Sequence, residues 1–157
     1  MKRILVLLLA LSITLTTFTS TASAVTLNSQ IERFDDGSYA IIVAISIHSN
    51  TAINNYSSQS TKTGTKTYSY YNSSGQKIWY IKVIGTFTYG NGTYTCTKSD
   101  IETKSYSSYW SLSGASSARS GATAYAGVTA KRYYNGTLTN TIQKTISLTC
   151  NPDGSFS

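Results

Sequence analysis

Proline is nearly absent from this chain, with Pro152 alone in 157 residues. No polyproline segment or Pro-rich linker can be built from it. Histidine is equally scarce, His48 being the only one, so zinc sites that rest on two or three imidazoles are excluded. Cysteine occurs twice, at Cys96 and Cys150, too far apart for a CxxC redox motif and too few for a four-thiolate zinc site. Acidic residues number six against 13 Lys and Arg. The acidic pair Asp35-Asp36 lacks the further oxygen ligands that a calcium loop requires. No Gly-x-Ser-x-Gly elbow, HExxH helix or glycine-rich phosphate loop occurs. No cofactor is expected.

Long apolar runs are also missing, with one exception at the N-terminus. Lys2 and Arg3 precede the nearly all-apolar stretch Ile4 to Leu15, and Ala22-Ser23-Ala24 supplies a small-x-small pattern. These are the three parts of a secretory signal. A dozen apolar residues are too few to cross a bilayer core, which needs roughly 20, and no cysteine follows to carry a lipid anchor. Residues 1–24 therefore read as a leader cleaved after Ala24. Residues 25–157 read as one exported domain, extracellular and possible to hold at the cell wall only by non-covalent contacts, since the end from Asn151 to Ser157 is polar. The formal net charge is +7, of which Lys2 and Arg3 account for two. The remaining basic residues are scattered, as on a solvated surface. Their excess favours polyanions, and for an exported chain wall polymers come before nucleic acid.

What is abundant is strand-forming chemistry. Thr, Ser, Tyr, Val and Ile dominate, and alternation at period two recurs. The odd positions Tyr39, Ile41, Val43, Ile45 and Ile47 form one apolar stripe. Trp79, Ile81, Val83, Gly85, Phe87 and Tyr89 form another. Near the end Leu138, Ile142, Ile146, Leu148 and Cys150 share one parity, with threonines on the other. Asp36-Gly37, Asn91-Gly92 and Asn135-Gly136 suit tight hairpins. The pattern predicts strands near 26–34, 38–48, 62–71, 76–89, 93–98, 101–112, 121–134 and 137–150. Segments 49–65 and 113–121 read as a long loop and a flexible connector. Seven or eight hairpin-linked strands predict an all-β, antiparallel β-sandwich, Ig-like at the level of architecture. Trp79 and Trp110 are expected to pack against the small face Ala122, Ala124, Ala126, Val128 and Ala130.

An even cysteine count in an oxidising compartment reads as a disulfide. Cys96 and Cys150 both fall on apolar parities. A bond across their 54 positions would contribute on the order of 4 kcal/mol on loop-entropy grounds.

Trp79, Val83, the block Gly85-Thr86-Phe87-x-Tyr89, Gly92 and Cys96, followed by Trp110 and Ser147-Leu148-Thr149-Cys150, resemble a set of small secreted proteins of Gram-positive Firmicutes. The resemblance spans about residues 76–150. It implies export, a β domain and a disulfide, and it carries over no catalytic or binding residue.

Candidate chemistry is sparse. His48 reads as an ordinary surface imidazole, and Asp100 and Glu102 as a surface pair neutralised by Lys98 and Lys104. The surplus is tyrosine, with all 13 beyond the leader. Tyr125, Lys131 and Tyr133 lie on the parity opposite the alanines. Tyr80 and Lys82 lie opposite the Trp79 stripe, and Lys62, Lys66, Tyr68 and Tyr70 share one side of their strand. Exposed aromatics interleaved with lysine suit sugar stacking and anionic polymers. The expected function is a secreted, non-enzymatic binding module for cell-envelope or host polysaccharide, with Tyr80, Lys82, Tyr125, Lys131 and Tyr133 as candidate ligand contacts. The alternatives are a protein–protein module (inhibitor, effector or adhesin-like) using 49–65 and 113–121, and, less favoured, a small hydrolase.

Overall fold

A computed structural model describes residues 24–48, 60–90, 92–152 and 154–157. Residues 1–23 of the expected leader, residues 49–59 and the His48 side chain lie outside the described residues. The chain forms eight antiparallel strands: β1 (Ala24–Arg33), β2 (Tyr39–His48), β3 (Ser60–Tyr71), β4 (Lys77–Gly90), β5 (Thr93–Ser105), β6 (Trp110–Ser120), β7 (Thr123–Tyr134) and β8 (Thr137–Thr149). β1 to β5 make one sheet and β6 to β8 a second, each in consecutive order. Within each sheet neighbours in sequence are neighbours in space, a meander, and the β5–β6 connection passes from one sheet to the other. The two sheets pack together as a sandwich, but not in the Greek-key order of immunoglobulin domains.

The core follows from the two strictest alternations. On β4, Trp79, Ile81, Val83 and Phe87 are fully buried. Facing them on β7 are Ala124, Ala126, Val128 and Ala130, also buried. Sheets stack at about 10 Å, so indole and phenyl rings on one need small residues on the other. At Gly85 an added Cβ would run into the Phe87 ring and against Ala124. The hairpin predicted at Asn135-Gly136 has positive φ at both residues, 48° and 79°, as a type I′ turn requires.

Four sequence expectations are corrected. The two cysteines are buried but not at disulfide distance. Their amides donate to consecutive carbonyls of the β6–β7 turn, Cys96 to Gly121 at 2.8 Å and Cys150 to Ala122 at 2.9 Å. The turn therefore anchors both strands separately, and the Cys96 thiol donates to the Lys98 carbonyl at 3.2 Å. Second, the Ser113–Gly121 connector is mostly β6. Its ladder to β7 supplies the backbone bonds, while Ser117 Oγ and Arg119 donate to the Ser99 and Cys96 carbonyls of β5, each at 3.0 Å. Polar ties replace the apolar stripe that would have marked it. Part of the expected loop 49–65 likewise belongs to β3, from Ser60 onward.

Third, β5 is one strand where two were expected. A bulge opposite Thr86 and Phe87 shifts its register. Cys96 points inward beside Phe87, and after the bulge Ile101 does so beside Val83. The parity change hides the continuity. Fourth, the Tyr/Lys side of β3 faces inward. Tyr68, Tyr70 and Lys62 are buried, aligned with Ile81, Trp79 and Phe87. Burial pushes the Tyr68 phenol pKa up. Lys62 stays inside because its ammonium donates to the Gly154 carbonyl and lies 4.9 Å from the Phe156 ring centroid. Inversely, the odd stripe of β2 faces outward, since the buried positions are Ala40 and Ala44.

Two measurements check this packing. Gly85→Ala is expected to lower unfolding stability by about 1–3 kcal/mol through overpacking, read from the denaturant midpoint; an unchanged midpoint would deny the close contact. The melting temperature is expected to be the same with and without reductant. A drop on reduction would restore the cross-link.

Candidate functional site

One end of the sandwich is open. There a cleft of about 740 Å³ is lined by residues of three chain segments and by strand ends from both sheets. Its size falls within the range of about 300–1,000 Å³ usual for ligand sites. The floor is the end of the core. Tyr70 and Trp110 are nearly buried, with ring centroids 5.5 Å apart and tilted. Each also contacts Trp79, at 5.4 Å and 6.4 Å.

The β5–β6 connection forms an aromatic rim. Tyr106 and Tyr109 are 52% and 58% exposed, yet their backbone is pinned. Tyr106 N donates to the Ile78 carbonyl, and the Tyr109 carbonyl accepts from Tyr133 N, both at 2.8 Å. Ser105 Oγ bonds the Ser107 and Trp110 carbonyls at 3.0 and 2.9 Å. Exposed rings on a fixed backbone form a preorganised platform.

The other walls are turns. In the β3–β4 hairpin Asn72 Oδ1 accepts from Ser74 N and Gln76 N at 3.1 and 2.9 Å, and Asn72 Nδ2 donates to Gln76 Oε1 at 2.9 Å. In the β1–β2 turn Asp36 accepts from the amide and the hydroxyl of Ser38, and the Tyr70 hydroxyl donates to Ser38 Oγ at 2.9 Å. The Ser38 hydroxyl, then its amide, lowers the Asp36 pKa, and the more distant Arg132 charge acts the same way. The Asp36 carboxylate is thus already engaged by the protein. Lys77 and Arg132 complete the lining, one from each sheet.

The expected contacts divide between two opposite outer faces. Tyr80 and Lys82 lie on the outside of sheet β1–β5, and Tyr125, Lys131 and Tyr133 on the outside of sheet β6–β8. They do not form one surface. Tyr80 reaches the cleft rim, 6.2 Å from Tyr106 by ring centroids. Tyr133 borders it through its bond to Tyr109. Lys82 is held in an ion pair with Glu102 at 2.6 Å, and Asp100 is paired with Lys98 at 2.6 Å. Tyr125 and Lys131 sit among the Ser and Thr of the β6–β8 face, away from the cleft.

Lys77 links the rim to the outer face. Its ammonium lies 5.4 Å from the Tyr80 ring centroid and 6.0 Å from those of Tyr71 and Tyr106. Lys104 lies 5.0 Å from Tyr106, and Tyr71 stacks on Tyr39 at 5.0 Å with nearly parallel planes. Tyr106, Tyr109, Lys77 and Arg132 were not singled out from sequence. The available signal was Tyr106-x-x-Tyr109-Trp110, three aromatics within a serine-rich stretch. Among the described residues no three His, Cys, Asp or Glu side chains come together as a metal site.

Comparison of the chain with protein-family models, with curated proteins and with solved structures yields no match.

Replacing Ser38 by Ala is expected to raise the Asp36 titration toward the ordinary carboxylate range, measured by NMR. The sign follows from the lowered folded pKa: this bond stabilises the fold at neutral pH and is lost as pH falls through the acid range. An unmoved titration would remove Ser38 as the cause.

Proposed function

We propose that the chain is a secreted, non-enzymatic binding module for polysaccharide of the cell envelope or of a host. The observation that carries this reading is the open cleft with two exposed, backbone-pinned tyrosines above an aromatic floor. Sugar rings present a C–H face that packs on an aromatic ring, and hydroxyls that seek amides and carboxylates. Tyr106 and Tyr109 supply the first, and the side-chain amides of Asn72 and Gln76 the second. The Asp100–Glu102 pair lends no support to a hydrolase, since each carboxylate contacts a lysine. An interaction module built on a flexible 113–121 segment is disfavoured by the strand found there.

The reading is tested by affinity electrophoresis of the chain without its leader through gels containing purified wall or plant polysaccharides. Retardation that is abolished in Tyr106→Ala/Tyr109→Ala, with unchanged circular dichroism, is expected. Base–aromatic stacking offers the scale, about 1–3 kcal/mol per ring, so the double change should weaken binding at least tenfold. Equal retardation of both proteins would sink the assignment to this cleft.

A further inference from the structure

We infer that the cleft selects sugars carrying a negative charge, with Lys77 and Arg132 holding the anionic group while the ring rests on Tyr106 or Tyr109; this rests on the polysaccharide reading above.

Three carboxylates away from the cleft are matched with lysines: Glu102 with Lys82, Asp100 with Lys98, and Glu32 with Lys144 at 2.8 Å. Among the described residues Arg33, Lys66, Arg119 and Lys131 have no carboxylate within ion-pair distance, and neither have Lys77, Lys104 and Arg132. The last three belong to the cleft or its rim. The one carboxylate lining the cleft is Asp36, and its charge is directed to the amide and hydroxyl of Ser38. The open end thus carries two lining cations and a third at the rim, against a single acid that is already hydrogen-bonded.

The present partners of the lysines are weak ones. Both ammonium groups lie over tyrosine rings, contacts worth about 0.5–1 kcal/mol at an exposed site. Charge-assisted hydrogen bonds to a carboxylate or phosphate are stronger, about twice a neutral bond. An incoming anion would draw Lys77 off the ring of Tyr106, and the same movement uncovers that ring for the sugar. Arg132 approaches from the other sheet with a fork of donors suited to two oxygens. Anion capture and ring stacking are therefore coupled at one residue, Tyr106. The ligand chemistry is a pyranose-like ring with an attached oxyanion, either the carboxylate of a uronate or the phosphate of a wall polymer.

Isothermal titration with three probes tests this: polygalacturonate oligomers, a glycerol-phosphate wall polymer bearing sugar substituents, and an uncharged gluco-oligosaccharide. At least tenfold tighter binding of one or both anionic probes is expected, falling with added salt. Lys77→Gln and Arg132→Gln should each weaken that binding about tenfold, more than they weaken binding of the neutral probe. Lys98→Gln serves as a control and should change little. Preference for the uronate over the phosphate probe, or the reverse, identifies the source of the anion. Equal affinity for neutral and anionic probes, with no effect of the glutamine variants, would overturn the charge selection and leave the polysaccharide reading standing. Weakening by Lys98→Gln as large as by Lys77→Gln would overturn it too, by showing diffuse attraction. Failure of all three probes to bind would overturn both.

Discussion

The structure depends on one steric match, the fit of large rings on β4 and β3 against the alanines of β7. Trp79, Tyr68, Phe87 and Ile81 supply nearly all the bulk, and Ala124, Ala126 and Ala130 supply the room. At a sheet separation of about 10 Å neither side could change size alone. The same match fixes register, because a slip of one residue on β7 would bring Tyr125 and Lys131 into the place of the alanines. It also sets where the core ends. Trp79 hands contact on to Tyr70 and Trp110, and these two become the floor of the cleft. The site is the exposed terminus of the packing that holds the sheets together.

Strands β4, β7 and β8 were legible in sequence because each has one covered face and one wet face, and alternation records that difference. The ladder on β2 was legible as a strand but not as to facing. Sheet β6–β8 has three strands against five, so it leaves β1 and β2 without full cover. Ile31 is 60% exposed, and Ile41, Val43 and Ile45 lie on the same outer side. An apolar stripe reports which face is apolar, not which face another sheet happens to meet. β5 and β6 failed for different reasons. The bulge in β5 reverses parity midway, and β6 is an edge whose side chains contact β5 through hydroxyls and a guanidinium. Periodicity cannot detect a strand held mainly by its backbone.

The place of the cleft was not legible in sequence. Tyrosine and lysine do cluster there, and Tyr80 stands beside Tyr106 at its rim. Parity arguments, however, sort residues by face, and the cleft is at an end. Its residues come from turns at 36–38, 72–76 and 106–109, which no alternation reaches. Arg132 illustrates the point: its parity is inward, but beyond Ala130 there is no core left to enter, and the side chain lines the opening instead. The disulfide expectation failed similarly. Two cysteines on apolar parities satisfy the sequence criteria, yet each sits against the β6–β7 turn, Cys96 at Gly121 and Cys150 at Ala122, rather than against the other.

The two ends of the sandwich meet the same demand in opposite ways, and the contrast bears on function. At the end farther from the cleft the chain closes its own core. Residues after β8 turn back, Cys150 pairs with Phe156, and Thr149 and Ser157 exchange backbone bonds at 2.9 and 3.1 Å. The Phe156 ring lies where a side chain on Gly64 would be and meets Phe87 at 5.1 Å. Even the lysine there is turned inward to a carbonyl. At the cleft end, among the described residues, no tail of this kind lies over Tyr70 and Trp110, and the Tyr106 and Tyr109 rings stand at the rim. Their backbone is fixed by hydrogen bonds to Ile78, Tyr133 and Ser107 in a pose that leaves the rings half in water. The end farther from the cleft is sealed by the eight residues from Cys150 to Ser157. The rings, amides and cations around the floor at the other end are what the proposed ligand reading rests on.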